Sequence, residues 1–140
     1  MVLTTAALLN WRVYKADVKS AFLQTGKAQR DVYVLPPKES ADKRHSWLLL
    51  TAAYGLVNAN AKWQSQSDEE LLRNGLQQFS CVPQLFYLTD RDSGKTTLLL
   101  AKIVDDFLLT GVHQVVTSFL RKFDAKFKFG TVCALSLIHI

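Results

Sequence analysis

Two adjacent acidic residues, Asp105 and Asp106, stand between two apolar runs of the sequence. These runs, at 98–104 and 107–109, predict two strands joined by a tight turn that carries both carboxylates at its tip. Like charges this close repel each other, and a cation between them lowers the cost. The pair therefore indicates a metal site. The structural alternative is a solvated turn, because aspartate is common in turns.

A third acidic residue, Asp17, is the best candidate to complete such a site. It lies near the end of residues 11–18, a segment rich in β-branched and aromatic residues that predicts a strand. An acid at a strand end beside an acidic hairpin can present oxygen ligands to a hard cation. The 2 cysteines, Cys81 and Cys133, are far apart and do not have the spacing of metal ligands.

The elements that must position these acids alternate between helical and extended patterns. Helices are predicted over residues 1–9, from Asn58 or Asn60 to about Asn74 with Gly75 as the stop, and over about 112–128. Strands are predicted at 11–18, 31–35, 47–51 and 85–88 and on both sides of the paired acids. The order is helix, strand, hairpin, helix, hairpin, helix, which predicts an α+β domain with a mainly antiparallel sheet.

Length and composition indicate one globular domain. The chain has 140 residues, which allows a single modest core. Its hydrophobic content of 49%, with 8 Phe, 4 Tyr and 3 Trp, excludes a disordered chain. The net charge of +5 suits a polyanionic partner. We find no signal peptide and no membrane-spanning segment, and the few cysteines fit a reducing compartment, so an intracellular location, cytoplasmic or nuclear, is expected.

Three motifs, in order along the chain, resemble copia-type retrotransposon reverse transcriptases. Residues 16–23 (ADVKSAFL) resemble the first catalytic motif of that family, and residues 103–106 (IVDD) resemble its hairpin motif, usually Tyr-Val-Asp-Asp. Between them, residues 53–56 (AYGL) with Trp63 resemble the segment that carries the second motif. Order and spacing agree over about residues 3–130. The resemblance implies a polymerase palm with part of the fingers, in which helices cover one sheet face and nucleic acid lies on the other.

The resemblance also implies a reaction, two-metal nucleotidyl transfer to a primer 3′-hydroxyl. Two Mg²⁺ ions, for which Mn²⁺ can substitute, would lower the pKa of the hydroxyl and neutralise charge on the triphosphate. Asp17 and Asp105 would bridge the ions, the backbone carbonyl of Val18 would add a ligand, and Asp106 would support them. The implied partners are an RNA or DNA template with its primer, deoxynucleoside triphosphates, and the remainder of a Pol polyprotein.

Two residues are expected beside the incoming nucleotide. Phe22, five residues after Asp17, matches the aromatic gate of the family, whose ring excludes a 2′-hydroxyl. Its structural alternative is a core phenylalanine. Gly55 fits a close approach of the backbone to the nascent base pair, because glycine has no Cβ, and its alternative is an ordinary turn glycine. Lys19 and Lys62 are weaker candidates for phosphate contact, since exposed lysines are usually only solvated.

The sequence departs from the family pattern at two places. Ile103 replaces the usual tyrosine before the hairpin acids, which removes an aromatic side chain that helps to position the primer. Residues 57–62 (VNANAK) stand where the family usually has Lys-Gln-(Ser or Ala)-Pro-Arg before the tryptophan. These departures bear on the positioning of template and nucleotide more than on metal binding.

The two ends of the chain carry separate expectations. Residues 1–134 are interpreted as the partial palm and fingers domain. Residues 135–140 (LSLIHI) resemble the translation of a transposase mosaic end from a sequencing adapter, and the alternative is a natural apolar strand. Met1 is interpreted as an internal methionine of a longer polyprotein.

Two functions of different class remain open. The first is a fragment of a reverse transcriptase that is enzymatic in its parent polyprotein, while this chain alone is expected to be inactive because the upstream fingers, the thumb and the ribonuclease H region are missing. The second is a decayed, non-catalytic retroelement remnant that folds and at most binds nucleic acid. A more distant alternative is a two-metal nuclease, which would not require the aromatic residue after the first acid.

Overall fold

The computed structural model describes residues 1–27, 30–41, 44–53, 55–56 and 58–135. Its α-helices are α1 (Val2–Leu9), α2 (Ala59–Arg73) and α3 (His113–Lys126), and a short 3₁₀ helix spans Ala21–Gln24. The strands are β1 (Val13–Val18), β2 (Tyr33–Val34), β3 (Trp47–Leu48), β4 (Gln77–Phe79), β5 (Val82–Thr89), β6 (Thr96–Ile103), β7 (Asp106–Gly111) and β8 (Phe129–Leu135). None of the described helices is both long and apolar enough to cross a membrane.

Six of the strands form one sheet in the order β4-β5-β6-β7-β1-β8, and every neighbouring pair in it is antiparallel. The strands β2 and β3 pair separately as a small hairpin. The sheet confirms the predicted α+β class with antiparallel strands. It also places β1 next to β7, so that the strand carrying the first acid lies beside the strand that follows the acidic turn.

Alternation along the strands gives the sheet two apolar faces. The face beneath α2 and α3 carries the main core, which includes Phe86, Leu98, Leu100, Phe107 and Leu109 from the sheet and Trp63, Leu71, Phe119 and Phe123 from the helices. On the opposite face, Leu85 and Leu99 pack with Val2 of α1. The helices α2 and α3 cover one face of the sheet, as expected. The helix α1 packs on the other face, which the expectation did not include. Because apolar residues also line the second face, burying part of that face against α1 is favourable.

The helix bounds follow the predicted signals closely. Asn58 stands immediately before α2 but its side chain makes no capping hydrogen bond, and the helix ends at Arg73 just before Asn74. Gly75 has a φ of 88°, the left-handed conformation that favours glycine after a helix. In α3, the buried residues Val116, Phe119 and Phe123 lie on the apolar face that the periodicity predicts.

Two strands of the main sheet were not predicted. The strand β4 is only 3 residues long and begins with two glutamines, so it gives no apolar pattern. The strand β8 is largely exposed on both faces and therefore does not alternate between buried and exposed residues. It ends at Leu135, the first residue of the segment interpreted as an adapter tail. Residues 136–140 lie outside the described residues, and the interpretation of that tail stays a prediction.

Candidate active site

Asp17 and Asp106 stand directly opposite each other on β1 and β7. Next to them, the backbone N–H of Val18 donates to the carbonyl oxygen of Asp105 at 3.0 Å. Because hydrogen-bonded and non-hydrogen-bonded pairs alternate along an antiparallel ladder, Asp17 and Asp106 form a non-hydrogen-bonded pair. Opposed side chains approach most closely in pairs of this type. The fold therefore brings two of the predicted acids together and places the third in the adjoining turn.

Lys15 supplies a positive charge to this acid pair. Its Nζ lies 3.1 Å from Oδ1 of Asp106. Among the described residues, this oxygen accepts no hydrogen bond of normal geometry although it is shielded from solvent, so the contact is an ion pair. The close contact with Asp106 raises the pKa of the Lys15 ammonium most, and the negative charge of Asp106 raises it further. The more distant charge of Asp17 makes a smaller contribution in the same direction. Sequence reasoning missed Lys15, although its position two residues before Asp17 places it on the same sheet face.

The turn between β6 and β7 consists of Val104 and Asp105, because Ile103 pairs with Asp106 at its base. Val104 has a φ of 58°, whereas Asp105 does not have a positive φ. A positive φ at the first turn residue alone is the pattern of a type II′ hairpin turn, where glycine is favoured. For a β-branched residue, a backbone region with positive φ costs on the order of 1–3 kcal/mol. The acidic turn is therefore a strained element that its surroundings must hold.

Trp63 holds the turn from the core side of the sheet. Its indole Nε1 donates to the carbonyl oxygen of Val104 at 2.7 Å. The Trp63 side chain is fully buried on α2, and its ring meets the edge of Phe127 with 5.1 Å between ring centroids. A buried indole N–H usually requires an acceptor, and here the acceptor is the strained residue of the turn. The sequence identifies Trp63 only as a motif residue, and its role in holding the turn comes from the structure.

A buried lysine lies one residue before Ile103. The Lys102 side chain is on the core face of β6, where its Nζ donates to Oγ of Ser67 at 2.8 Å and pairs with the Asp68 carboxylate. Burial lowers the pKa of the Lys102 ammonium, while the hydrogen bond and charge of Asp68 act in the opposite direction. Because Ser67 and Asp68 belong to α2, this cluster and Trp63 both connect α2 to the hairpin that carries the acids.

The donor chemistry of the acids fits a hard cation, since Asp17, Asp105 and Asp106 offer carboxylate oxygens. In the described part of the chain, however, no group of three or more acidic, histidine or cysteine side chains is arranged so that it could hold a metal ion by itself. Mg²⁺ is usually held by one or two carboxylates together with substrate phosphates and water. The opposed pair Asp17 and Asp106, with Asp105 in the adjoining turn, offers carboxylates of this type, and the other ligands of such a site would come from outside the chain.

Of the two residues predicted beside the nucleotide, Phe22 is buried and Gly55 is exposed. Phe22, in the 3₁₀ helix after β1, is only 9% exposed and belongs to the main core. It therefore packs as a core phenylalanine, which is the alternative to the aromatic gate. Gly55 has a φ of 89°, and a Cβ added to it would meet no atom within 4 Å. The turn conformation is therefore sufficient reason for a glycine at this position. Contact of either residue with a nucleotide stays a prediction, and Tyr54 lies outside the described residues.

The two lysines predicted as weak contacts for nucleic acid differ in their surroundings. Lys19 is exposed immediately after β1. Lys62 is half-buried, and its Nζ donates to the backbone carbonyl oxygens of Gly26, at 3.2 Å, and Lys27. Lys62 therefore fastens α2 to the segment that follows the 3₁₀ helix.

Comparisons with known proteins lead to the same family as the motifs. The family model described as reverse transcriptase (RNA-dependent DNA polymerase) matches residues 1–138. The retrovirus-related Pol polyprotein from transposon TNT 1-94 of Nicotiana tabacum is 30% identical over 113 residues. The match covers 79% of this chain but only 8% of that polyprotein. No solved structure gives a significant match. The chain belongs to the reverse transcriptase (RNA-dependent DNA polymerase) family.

Proposed function

We propose that this chain forms the palm and part of the fingers of a copia-type retrotransposon reverse transcriptase that extends a primer by two-metal nucleotidyl transfer. The observation that supports this most is the opposition of Asp17 and Asp106 across β1 and β7, with Asp105 in the adjoining turn. These acids belong to the motifs that resemble the catalytic motifs of the family. If the fold had placed these acids far apart, their positions would not support a catalytic role.

In the proposed reaction, residues of this chain hold the metal ions. Asp17 and Asp105 would hold the metal ions, with the backbone carbonyl of Val18 as a further ligand and Asp106 as the supporting acid. Two Mg²⁺ ions, when bound, supply Lewis acidity that lowers the pKa of the primer 3′-hydroxyl and offsets the charge of the triphosphate. The hydrogen bond from Trp63 to the Val104 carbonyl oxygen holds the strained turn in which Asp105 lies.

An open arrangement of acids suits a site that is completed by its substrate. A triphosphate can supply the oxygen ligands that the described residues do not bring together. Within the chain, Lys15 balances part of the charge of Asp106 at 3.1 Å. Cations that enter together with an anionic substrate would offset the charge of the other carboxylates.

Phe22 is proposed to select deoxynucleotides, and Gly55, Lys19 and Lys62 to lie near the nucleotide or the nucleic acid. Phe22→Val in an active Pol protein is expected to increase the use of ribonucleotides, because a smaller side chain leaves room for a 2′-hydroxyl. Primer extension with matched ribo- and deoxynucleotides measures the selectivity. Since Phe22 is also a core residue, the unfolding midpoint of the variant must be measured in parallel. Unchanged sugar selectivity in a folded variant would retire the gate.

The proposed partners are a primed RNA or DNA template, deoxynucleoside triphosphates and the other segments of a Pol polyprotein. The tobacco relative is a Pol polyprotein by its name, and the match spans 8% of its length. Polymerisation is accordingly proposed for a Pol protein that contains this chain. The net charge of +5 is consistent with a nucleic-acid partner.

The second candidate function is a non-catalytic remnant that binds nucleic acid without extending a primer. Ile103 favours it, since its side chain is 70% exposed beside the acids where the family usually has a tyrosine. An assay with a primed RNA template, deoxynucleotides and Mg²⁺ separates the two functions. Extension by the Pol protein supports the polymerase, whereas binding of the primed template without any extension supports the remnant.

A further inference from the structure

Gly130 occupies a bulge in β8 directly beside Asp17. The register between β1 and β8 pairs Asp17 with Thr131 and Val18 with Phe129, which leaves Gly130 as the extra residue. A Cβ added to Gly130 would lie 3.2 Å from Oδ2 of Asp17. Bulges of this kind bend a strand and redirect the side chains around them, and they are frequent next to active sites.

Backbone conformation does not explain why residue 130 is a glycine. Its φ lies outside the left-handed region, so other residues can adopt the same backbone without strain. A glycine inside a strand also weakens the strand, because it has no side chain to pack and loses more backbone entropy. The tightest contact of a Cβ at this position would be with the Asp17 carboxylate, at 3.2 Å, while Lys19 would lie at ordinary contact distances of 3.5 and 3.6 Å.

The bulge is held in place by a clasp around Lys128. The Gln24 side chain accepts a hydrogen bond from the Lys128 N–H at 2.7 Å and donates one to the Lys128 carbonyl oxygen at 3.0 Å. The same Gln24 Nε2 donates to the carbonyl oxygen of Lys19. The Lys19 N–H donates to the Lys128 carbonyl oxygen at 3.0 Å. One side chain from the 3₁₀ helix therefore joins the end of β1 to the start of β8.

A second contact fixes the same segment from α3. The N–H of Phe129 donates to Oδ1 of Asp124 at 2.9 Å, so both residues before Gly130 have anchored backbones. A side chain at position 130 could not be accommodated by a free movement of this strand. The carboxylate of Asp17 would have to give way instead, since 3.2 Å is closer than most real Cβ contacts.

We propose that Gly130, held by the Gln24 clasp, is a positioning residue that sets the orientation of the Asp17 carboxylate. Because a Cβ at position 130 would lie 3.2 Å from Oδ2, a larger residue there would push the Asp17 carboxylate out of its present orientation. The proposal deepens the proposed polymerase function, on which it rests for the meaning of Asp17 as a metal ligand. The steric relation between Gly130 and Asp17 can be tested without any metal.

The test is carbon-13 NMR of the whole 140-residue chain labelled at the aspartate carboxyl carbons, in metal-free buffer at fixed neutral pH. Asp17→Asn identifies the Asp17 resonance. Gly130→Ala is expected to shift that resonance while the resonance of Asp90, in a distant turn, stays in place. Gln24→Ala is expected to shift it as well, because the clasp is lost. Val132→Ala is the matched control, since Val132 is exposed on the same strand and is paired with Ala16 instead of Asp17.

An unmoved Asp17 resonance in folded Gly130→Ala overturns the proposal, and so does a shift of equal size in Val132→Ala. If Gly130→Ala does not fold, Gln24→Ala alone decides between the same two outcomes. Adding Mn²⁺ to the unsubstituted chain then tests the metal site separately, through selective broadening of Asp17, Asp105 and Asp106. Absence of that broadening argues against the metal role, while a shift of Asp17 in Gly130→Ala would still establish the positioning contact.

Discussion

At the residue scale, the balance of charge around Asp17 and Asp106 determines what the site can hold. Like charges directly opposite each other across a β-ladder destabilise the pair of strands. The Lys15 ammonium, 3.1 Å from Asp106, offsets part of that repulsion. An entering cation must therefore compete with a positive charge that is already present.

Lys15→Gln is expected to raise the affinity for Mn²⁺ by about two- to fivefold, the modest effect of an exposed charge pair. The physical reason is that the neutral side chain leaves the carboxylates uncompensated and repels no entering cation. Water-proton relaxation at low ionic strength measures the binding. Lys15→Arg keeps the charge and serves as the control. Equal affinities of Lys15→Gln and the unsubstituted chain would argue against competition at this site.

At the element scale, the strained turn depends on the helix that packs beneath it. Val104 adopts a φ of 58° that is costly for a β-branched residue, and Trp63 donates to its carbonyl oxygen. The acids are thus presented by an element that the local sequence alone does not favour. Strain of this kind persists only where the surroundings determine the backbone.

Trp63→Phe is expected to lower the free energy of unfolding by about 1–2 kcal/mol, because it retains a ring but leaves the Val104 carbonyl oxygen without its donor. Urea unfolding measures the change. Trp47→Phe is the matched control, since Trp47 is 44% exposed on β3 and should tolerate the same replacement. Equal losses in the two variants would contradict the role of the indole hydrogen bond.

The junction between α3 and β8 has a pH dependence of its own. The Phe129 N–H, followed by Lys128, lowers the pKa of Asp124 below its ordinary value of 3.8. A carboxylate whose pKa is lower in the folded state stabilises the fold above its unfolded pKa, and this contribution is lost as the pH falls through the folded pKa. The loss is therefore expected below about pH 4.

The matching experiment follows urea unfolding of the chain and of Asp124→Asn from about pH 6 to about pH 3. The unsubstituted chain should lose more stability over this range than Asp124→Asn, which has no carboxyl group to protonate at that position. Asp90, whose pKa is lowered by its hydrogen bonds from Ser93, titrates in both proteins and cancels in the comparison. Parallel pH profiles would show that Asp124 does not stabilise the junction.

At the scale of the whole molecule, Lys102 and Asp68 join α2 to the central sheet through a buried ion pair. Removing one partner of a buried pair leaves an uncompensated charge, whereas replacing the charge by an apolar group of similar volume is often neutral. Asp68→Ala is accordingly expected to cost about 3 kcal/mol and Lys102→Met much less. In urea unfolding, the double variant should recover most of the loss of Asp68→Ala. Strictly additive losses would contradict the coupling.

Sequence predicts the elements with strong local signals and fails where distant residues decide. The left-handed Gly75 follows the end of α2 as its residue type predicts, whereas Asn58 stands at the predicted start without a side-chain capping hydrogen bond. The strand β8 is exposed on both faces and exists because β1 lies beside it. A lysine at position 102 predicts a solvated side chain, and only the fold brings Asp68 to it.

In the candidate site, too, local sequence predicts some features, while contacts between distant residues determine others. The carboxylates are evident from residue type, and motif order places Asp17 beside the hairpin. Their direct opposition depends on the register of β1 against β7, which no local pattern fixes. Lys15, Trp63 and Gly130 act through contacts across the sheet or from a helix. The sequence indicates only the sheet face of Lys15 and the motif position of Trp63, and the contacts themselves come from the fold.

The most direct test of the polymerase centre is the rate of primer extension on an RNA template, with deoxynucleotides and Mg²⁺, by a Pol protein that contains this chain. Asp105→Asn should lower that rate at least about a hundredfold, since it removes a proposed metal-bridging carboxylate. Asp90→Asn, an equal change of charge in an exposed turn, should leave the rate nearly unchanged. Extension by Asp105→Asn at the rate of Asp90→Asn would contradict the assignment of the acidic turn to catalysis.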